Sequence, residues 1–86
     1  MKLSTILISF VGNNIILKSC FSERLKELRA EKGLSQVLLA KAVGNRPSHT
    51  AIALWELKKR TPNLDDVIRL AKFFGVTVGY LAGVED

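Results

Sequence analysis

The chain has 86 residues, with 13 Lys and Arg against 8 Asp and Glu and a formal net charge of +5. That length builds one small core and leaves no room for a second of useful size, while the basic excess points to nucleic acid or an anionic surface as partner. One cysteine and one histidine exclude an intramolecular disulfide and make no zinc site, and no apolar run approaches the ~20 residues of a membrane span, so a reducing cytoplasm and no membrane partner are expected.

Residues 1–20 contain no acid, two lysines, and two β-branched apolar runs, Ile6 to Val11 and Ile15 to Leu17, around Gly12-Asn13-Asn14. Three readings stay open. A β-hairpin turning at Gly-Asn-Asn fits the propensities and the turn chemistry. An unstructured or helical leader is the second. The third is a secretory or lipoprotein signal, because Leu17-Lys18-Ser19-Cys20 resembles a lipidation box. Against it stand the two asparagines inside the apolar core and a lysine where signals want small neutral residues. An apolar two-stranded ribbon is not stable alone in water, so a hairpin here is expected to pack on the rest of the chain or on a second copy. Residues 1–20 are thus set apart as an extension ahead of a helical domain at 21–86.

The first helix is predicted from Ser22, its N-cap, to Lys32. Phe21, Leu25, Leu28 and Lys32 share one stripe, with Glu23, Arg24, Lys26, Glu27 and Glu31 outside. Gly33 suits the left-handed residue that closes a helix. A second helix runs from its cap Ser35 to about Val43, with Leu39, Ala40 and Val43 inward, and Gly44 follows. Pro47 forbids a helix through the next turn, so the third begins at Ser48 and ends near Leu57. The fourth starts at Asn63-Leu64, where Asp65 and Asp66 suit the positive end of the helix dipole. Its inner stripe is Leu64, Val67, Leu70, Ala71 and Phe74, and Gly75 ends it. A short fifth helix, Thr77 to Ala82, buries Tyr80 or Leu81. The fold class is all-α, with a β-hairpin or extended appendage.

The segment Leu34 to Glu56 carries the functional signal. Two short helices, each opened by a serine, are joined by a glycine-containing turn. The second has small or polar residues on one face and Ile52 and Trp55 on the other, as a helix does when one side packs and the other enters a groove. Between Lys41 and Arg60 there are five basic residues (Lys41, Arg46, Lys58, Lys59, Arg60) against one acid, Glu56. This reads as a DNA-binding helix-turn-helix.

The pieces ERLKELRAEKGLSQ, LAKAVG, SHTAIALWE and KRTPNLDDVIRLAKFFGVTVGYLAG, in this order and spacing, make residues 22–83 resemble the lambda-repressor-like, Cro/cI-type (Xre) helix-turn-helix family. The resemblance implies a five-helix domain that binds operator DNA as a symmetric homodimer, with repression as the commonest outcome. It implies that Gln36 braces a phosphate beside backbone amides. Ser48 opens the recognition helix, His49 and Thr50 reach base edges, and Ala53 and Leu54 face the groove. Lys58, Lys59, Arg60 and Thr61 belong to a loop that touches backbone phosphate, and Arg29 and Glu56 form a partly buried ion pair between helices one and three. The sequence departs from the family in three places. The turn is lengthened around Asn45-Arg46-Pro47. Val37 and Leu38 stand where polar residues are common. Leu54 replaces a polar base reader, and a thymine methyl is its natural contact.

Each assignment has a plainer counterpart. His49 and Thr50 are either DNA contacts or merely exposed. Arg46 lies in a turn whose direction the sequence leaves open. The run Lys58 to Arg60 is a phosphate loop or an ordinary solvated one. Trp55, Phe74 and Tyr80 read as core, and Phe73 as exposed. No cofactor, metal or catalytic constellation is expected: there is no nucleophile–base arrangement, paired-carboxylate cleft or phosphate-binding glycine loop. The rival to a DNA reader is a protein-interaction module, antitoxin-like, using apolar surface around Val37, Leu38 and Phe73. With three residues after Gly83, no sensing domain is expected.

Overall fold

Among the described residues, four of the five helices open on a side chain that accepts the backbone N–H three residues further on. The computed structural model describes residues 9–11, 14–16 and 18–85. Helix α1 is Lys18–Glu31, α2 Gln36–Ala42, α3 His49–Glu56, α4 Leu64–Phe74 and α5 Val78–Ala82. Ser35 accepts from Leu38, Ser48 from Ala51, Asn63 from Asp66 and Thr77 from Tyr80. Each cap satisfies one of the donors that a helix start leaves free. The closures are equally local. Gly33, Gly75 and Gly83 hold φ of +65°, +71° and +91°, conformations that glycine adopts without the Cβ penalty.

Ahead of the helices, strands β1 (Ser9–Val11) and β2 (Asn14–Ile16) pair antiparallel. Ser9 lies opposite Ile16, Phe10 opposite Ile15 and Val11 opposite Asn14. The turn residues Gly12 and Asn13, the run Ile6 to Ile8, and Leu17 of the lipidation-like sequence lie outside the described residues.

The core is shared by all five helices. Phe21 and Leu25 of α1, Leu39 of α2, Ile52 and Trp55 of α3, Leu70 of α4 and Leu81 of α5 are buried together. Phe21 meets Trp55 edge to face, with ring centroids 5.8 Å apart and planes at 72°, a geometry that the ring quadrupole favours over a flat stack.

Five expectations need correction. Helix α1 begins at Lys18 rather than Ser22, so it crosses the 20/21 boundary. Ser22 is not its cap: it is buried, and its hydroxyl donates to the Glu56 carbonyl at 2.8 Å. That carbonyl is one of the acceptors left over at the end of α3, so a tertiary bond takes the role a local cap was expected to fill. Arg24 faces inward enough to stack on the Tyr80 ring, 4.3 Å from its centroid, and to donate to the Tyr80 and Glu85 carbonyls. Lys32 is exposed rather than on the inner stripe. Phe73 is half-buried, edge-on to Phe74 at 5.1 Å and covered by the Lys32 ammonium at 5.6 Å. Of the alternatives for α5, Leu81 is the fully buried residue and Tyr80 is half-buried.

Trp55 is 3% exposed and touches the first helix, so Trp55→Ala is expected to lower unfolding stability by about 3–5 kcal/mol in urea titration. Leu38, 50% exposed, supplies the control: Leu38→Ala is expected to stay within about 0.5 kcal/mol of the parent.

Candidate nucleic-acid interface

The candidate surface is built on α3, an eight-residue helix with an inner and an outer face. Ile52, Trp55 and Glu56 are buried, and Ala51 packs partly against the core. His49 and Thr50 are exposed, and Ala53 and Leu54 are half-exposed. The spacing explains the division, because residues four apart lie on the same side of a helix. His49 and Ala53 make one outer row, and Thr50 and Leu54 the row beside it. Leu57, 63% exposed, continues the first row. Leu57 is more than the helix end expected of it, and its four-residue offset from Ala53 is the sequence signal for that place.

The turn leading into α3 has its own geometry. Gly44 and Asn45 hold φ of +81° and +61° in succession, and the Asn45 amide donates back to the Ala40 carbonyl at 2.7 Å. Pro47 is buried, which leaves Arg46 exposed beside the Ser48 cap. The added residues are therefore used to reverse the chain and anchor Pro47, not to lengthen α3. Arg46 borders a polar groove of about 360 Å³ that also takes in Asn63, Asp65, Asp66 and Arg69. Burial pushes the Asp66 carboxyl above the usual carboxylate range, against the opposing pull of Arg69 and Arg46 and reinforced by Asp65. The cation that meets the Asp66 carboxylate is Arg69, at 3.5 Å. Beyond suiting the helix dipole, the two aspartates thus line the groove that the turn's path closes against α4.

After α3 the loop is fixed by its backbone. Lys58 donates to the Trp55 carbonyl at 3.0 Å and Lys59 to the Leu54 carbonyl at 2.9 Å, with Lys58 at φ +62°. Lys58, Lys59 and Arg60 are all exposed next to the outer face. They are not equivalent: the Lys58 ammonium lies 3.2 Å from the Glu23 carboxylate. Both groups are open to solvent, so the pair contributes little stability, but it leaves Lys59 and Arg60 as the cations of this run with no carboxylate partner among the described residues.

Gln36 is half-buried at the start of α2, and its side-chain amide donates to the Glu56 carboxylate at 3.0 Å. Arg29 meets the same carboxylate through Nε at 2.8 Å and Nη2 at 2.9 Å. The hydrogen bond to Glu56 raises the Arg29 pKa further above an already high value, burial opposing. The surface thus brings together Ser48, His49, Thr50, Ala53, Leu54 and the basic loop. Arg46 stands at its edge, while Gln36, Arg29 and Glu56 lie beneath. Among the described residues no group of three or more His, Cys, Asp or Glu is placed to hold a metal, and no helix is long and apolar enough to cross a membrane.

A helix-turn-helix family model matches residues 25–81, a span that includes α2, the tight turn and the capped, outward α3. The chain belongs to the helix-turn-helix family, in its Cro/cI (Xre) type. This helix-turn-helix chain is 39% identical over 66 residues to the HTH-type transcriptional activator BcrR of Enterococcus faecalis, covering 77% of itself and 31% of that protein. Its fold is similar to the crystal structure of a hypothetical transcription factor, NHTF, from Neisseria, with a TM-score of 0.69, 26% identity, and 77% and 74% of the two chains covered. It is also similar to the solution structure of the SOS-response transcriptional repressor LexA from Eubacterium rectale, with a TM-score of 0.68, 29% identity, and 80% and 69% covered.

The helix-turn-helix depends on the α3 cap. Ser48→Ala removes the acceptor for the Ala51 amide and is expected to lower stability by about 1 kcal/mol, with Ser48→Asp restoring it. Thermal unfolding of the three proteins side by side checks both.

Proposed function

We propose that this chain reads double-stranded operator DNA as a symmetric homodimer, inserting α3 into the major groove and repressing transcription by occupying the site in the cytoplasm. The observation that carries the reading is the division of α3: an outer face of His49, Thr50, Ala53 and Leu54 beside exposed Lys59 and Arg60, and an inner face buried in the core. Side chains on such a face reach base edges, while cations beside it meet phosphates and set the register. His49 and Thr50 are the base readers, Leu54 meets a thymine methyl, and Ser48, Arg46, Lys58, Lys59 and Arg60 contact the backbone together with Gln36.

A second reading has one observation in its favour. Val37 and Leu38 are 45% and 50% exposed on α2, an apolar pair that a protein partner would cover. Phe73 is engaged within the domain and adds little to that surface. A charged residue at Leu38 separates the readings, since it removes a protein partner and spares DNA.

Selection from a random duplex pool tests the main reading, which predicts enrichment of a pseudo-palindrome. Failure to enrich any sequence contradicts it. A reporter carrying the selected site decides the regulatory sign: reduced transcription supports repression, and increased transcription, as the name of the Enterococcus faecalis relative suggests, overturns it. With about four phosphates neutralised per subunit, log K should fall with log salt at a slope near −7, taking ~0.9 per contact, and a slope shallower than about −2 counts against DNA as the ligand. Thr50→Ala should cost about 1–3 kcal/mol at one base position. Lys59→Ala should weaken all sequences alike, visible as parallel losses across a mismatch panel.

A further inference from the structure

Glu56 is the one acidic side chain fully buried among the described residues, 5% exposed, and it ends the helix that carries the outer face. Its carboxylate accepts three N–H donors, two from Arg29 at 2.8 and 2.9 Å and one from Gln36 at 3.0 Å. Its backbone carbonyl accepts a fourth bond, from Ser22 at 2.8 Å. Arg29 further donates to the Leu34 carbonyl at 2.9 Å, just before the α2 cap. Three helices therefore converge on this one residue.

An ion pair that served only to hold the fold would need Arg29 alone. The Gln36 bond adds something else. A carboxylate only accepts, so it fixes which end of the Gln36 amide turns inward: the NH₂ group faces Glu56, and the amide oxygen and the second N–H are left to the outside. A half-exposed glutamine would otherwise sample both orientations and several rotamers. Held this way, the half-buried side chain keeps its second N–H and its amide oxygen turned away from Glu56, in a set place at the start of α2.

We infer that Glu56 is a positioning residue for DNA binding, acting through Gln36. The inference rests on the DNA reading above and adds that a negative charge beneath the interface strengthens binding. Simple electrostatics gives the opposite sign. Glu56→Gln raises the formal net charge from +5 by one, and a more positive protein should hold a polyanion more tightly. Positioning predicts weaker binding, because a neutral amide at residue 56 no longer dictates the orientation of the amide at residue 36.

The test measures duplex affinity of the full chain by fluorescence anisotropy at one salt concentration, using the sequence selected from the random pool, with thermal unfolding recorded for every variant. Glu56→Gln should weaken binding roughly five- to tenfold, the scale of one lost hydrogen bond. Gln36→Ala should weaken it by a similar factor. Combining them should add less than about a further twofold, because both remove the same contact. Equal loss from Glu56→Gln in both backgrounds would assign Glu56 a purely structural role and overturn the inference, as would tighter binding by Glu56→Gln. Should Glu56→Gln fail to fold, Gln36→Met keeps the test open. It leaves the Arg29–Glu56 pair in place, and it should bind five- to tenfold more weakly while still unfolding cooperatively well above the assay temperature; unchanged affinity would overturn the inference. If the parent chain binds no duplex, the DNA reading itself fails. Parent binding with a Glu56→Gln gain removes only the positioning role.

Discussion

A carboxylate buried at the end of a short helix must be paired, because an ion left alone in a low-dielectric interior costs several kcal/mol. In this chain Glu56 is that carboxylate and the Arg29 guanidinium is its partner, with two nitrogens on two oxygens. The pairing decides the pose of α3. Eight residues are too few to be helical in water without help from their surroundings, so the helix is held from outside at every point. Ser48 caps its start, Ile52 and Trp55 tie its middle to the core, and Glu56 fastens its last turn to α1 and α2. With one side so fully engaged, the other is left free of the protein.

Freedom of that face matters because recognition of a duplex needs side chains that are rigidly placed yet uncommitted. His49 and Thr50 are exposed on a helix whose backbone is fixed. Charge is arranged around them unevenly. Lys58 shares its charge with Glu23 and Arg46 borders the groove that holds Asp65 and Asp66, whereas Lys59 and Arg60 are exposed to solvent. The net charge of +5 is therefore a weaker guide than the position of a few cations. Long-range attraction draws a polyanion toward a basic domain, but only fixed contacts set register.

The parts of this structure that were legible in the sequence are those governed by local chemistry. Ser35, Ser48, Asn63 and Thr77 cap their helices because an oxygen at that position meets a free amide whatever the tertiary fold. Gly33 and Gly75 end helices for an equally local reason. The inward stripe of α4 was readable from its period. The misreadings share a cause as well. Ser22 looked like a cap and is instead a buried donor to another helix, and nothing within a few residues of it signals that distant carbonyl. Phe73 was expected outside because Phe74 filled the stripe, yet Lys32 from α1 covers it. On the candidate surface the outer face of α3 followed from spacing alone, whereas the inward amide of Gln36 and the groove shared by Arg46 and Asp66 depend on how separate elements meet.

The most direct check on the central claim, that the outer face of α3 is where a duplex binds, is a nitrogen-15 amide spectrum recorded while the chain is titrated with its selected duplex. The amides from Ser48 to Arg60 should shift first and furthest, with Gln36 following and α5 nearly still. Shifts centred on Val37 and Leu38 or on α4, with Ser48 to Arg60 unmoved, would contradict it.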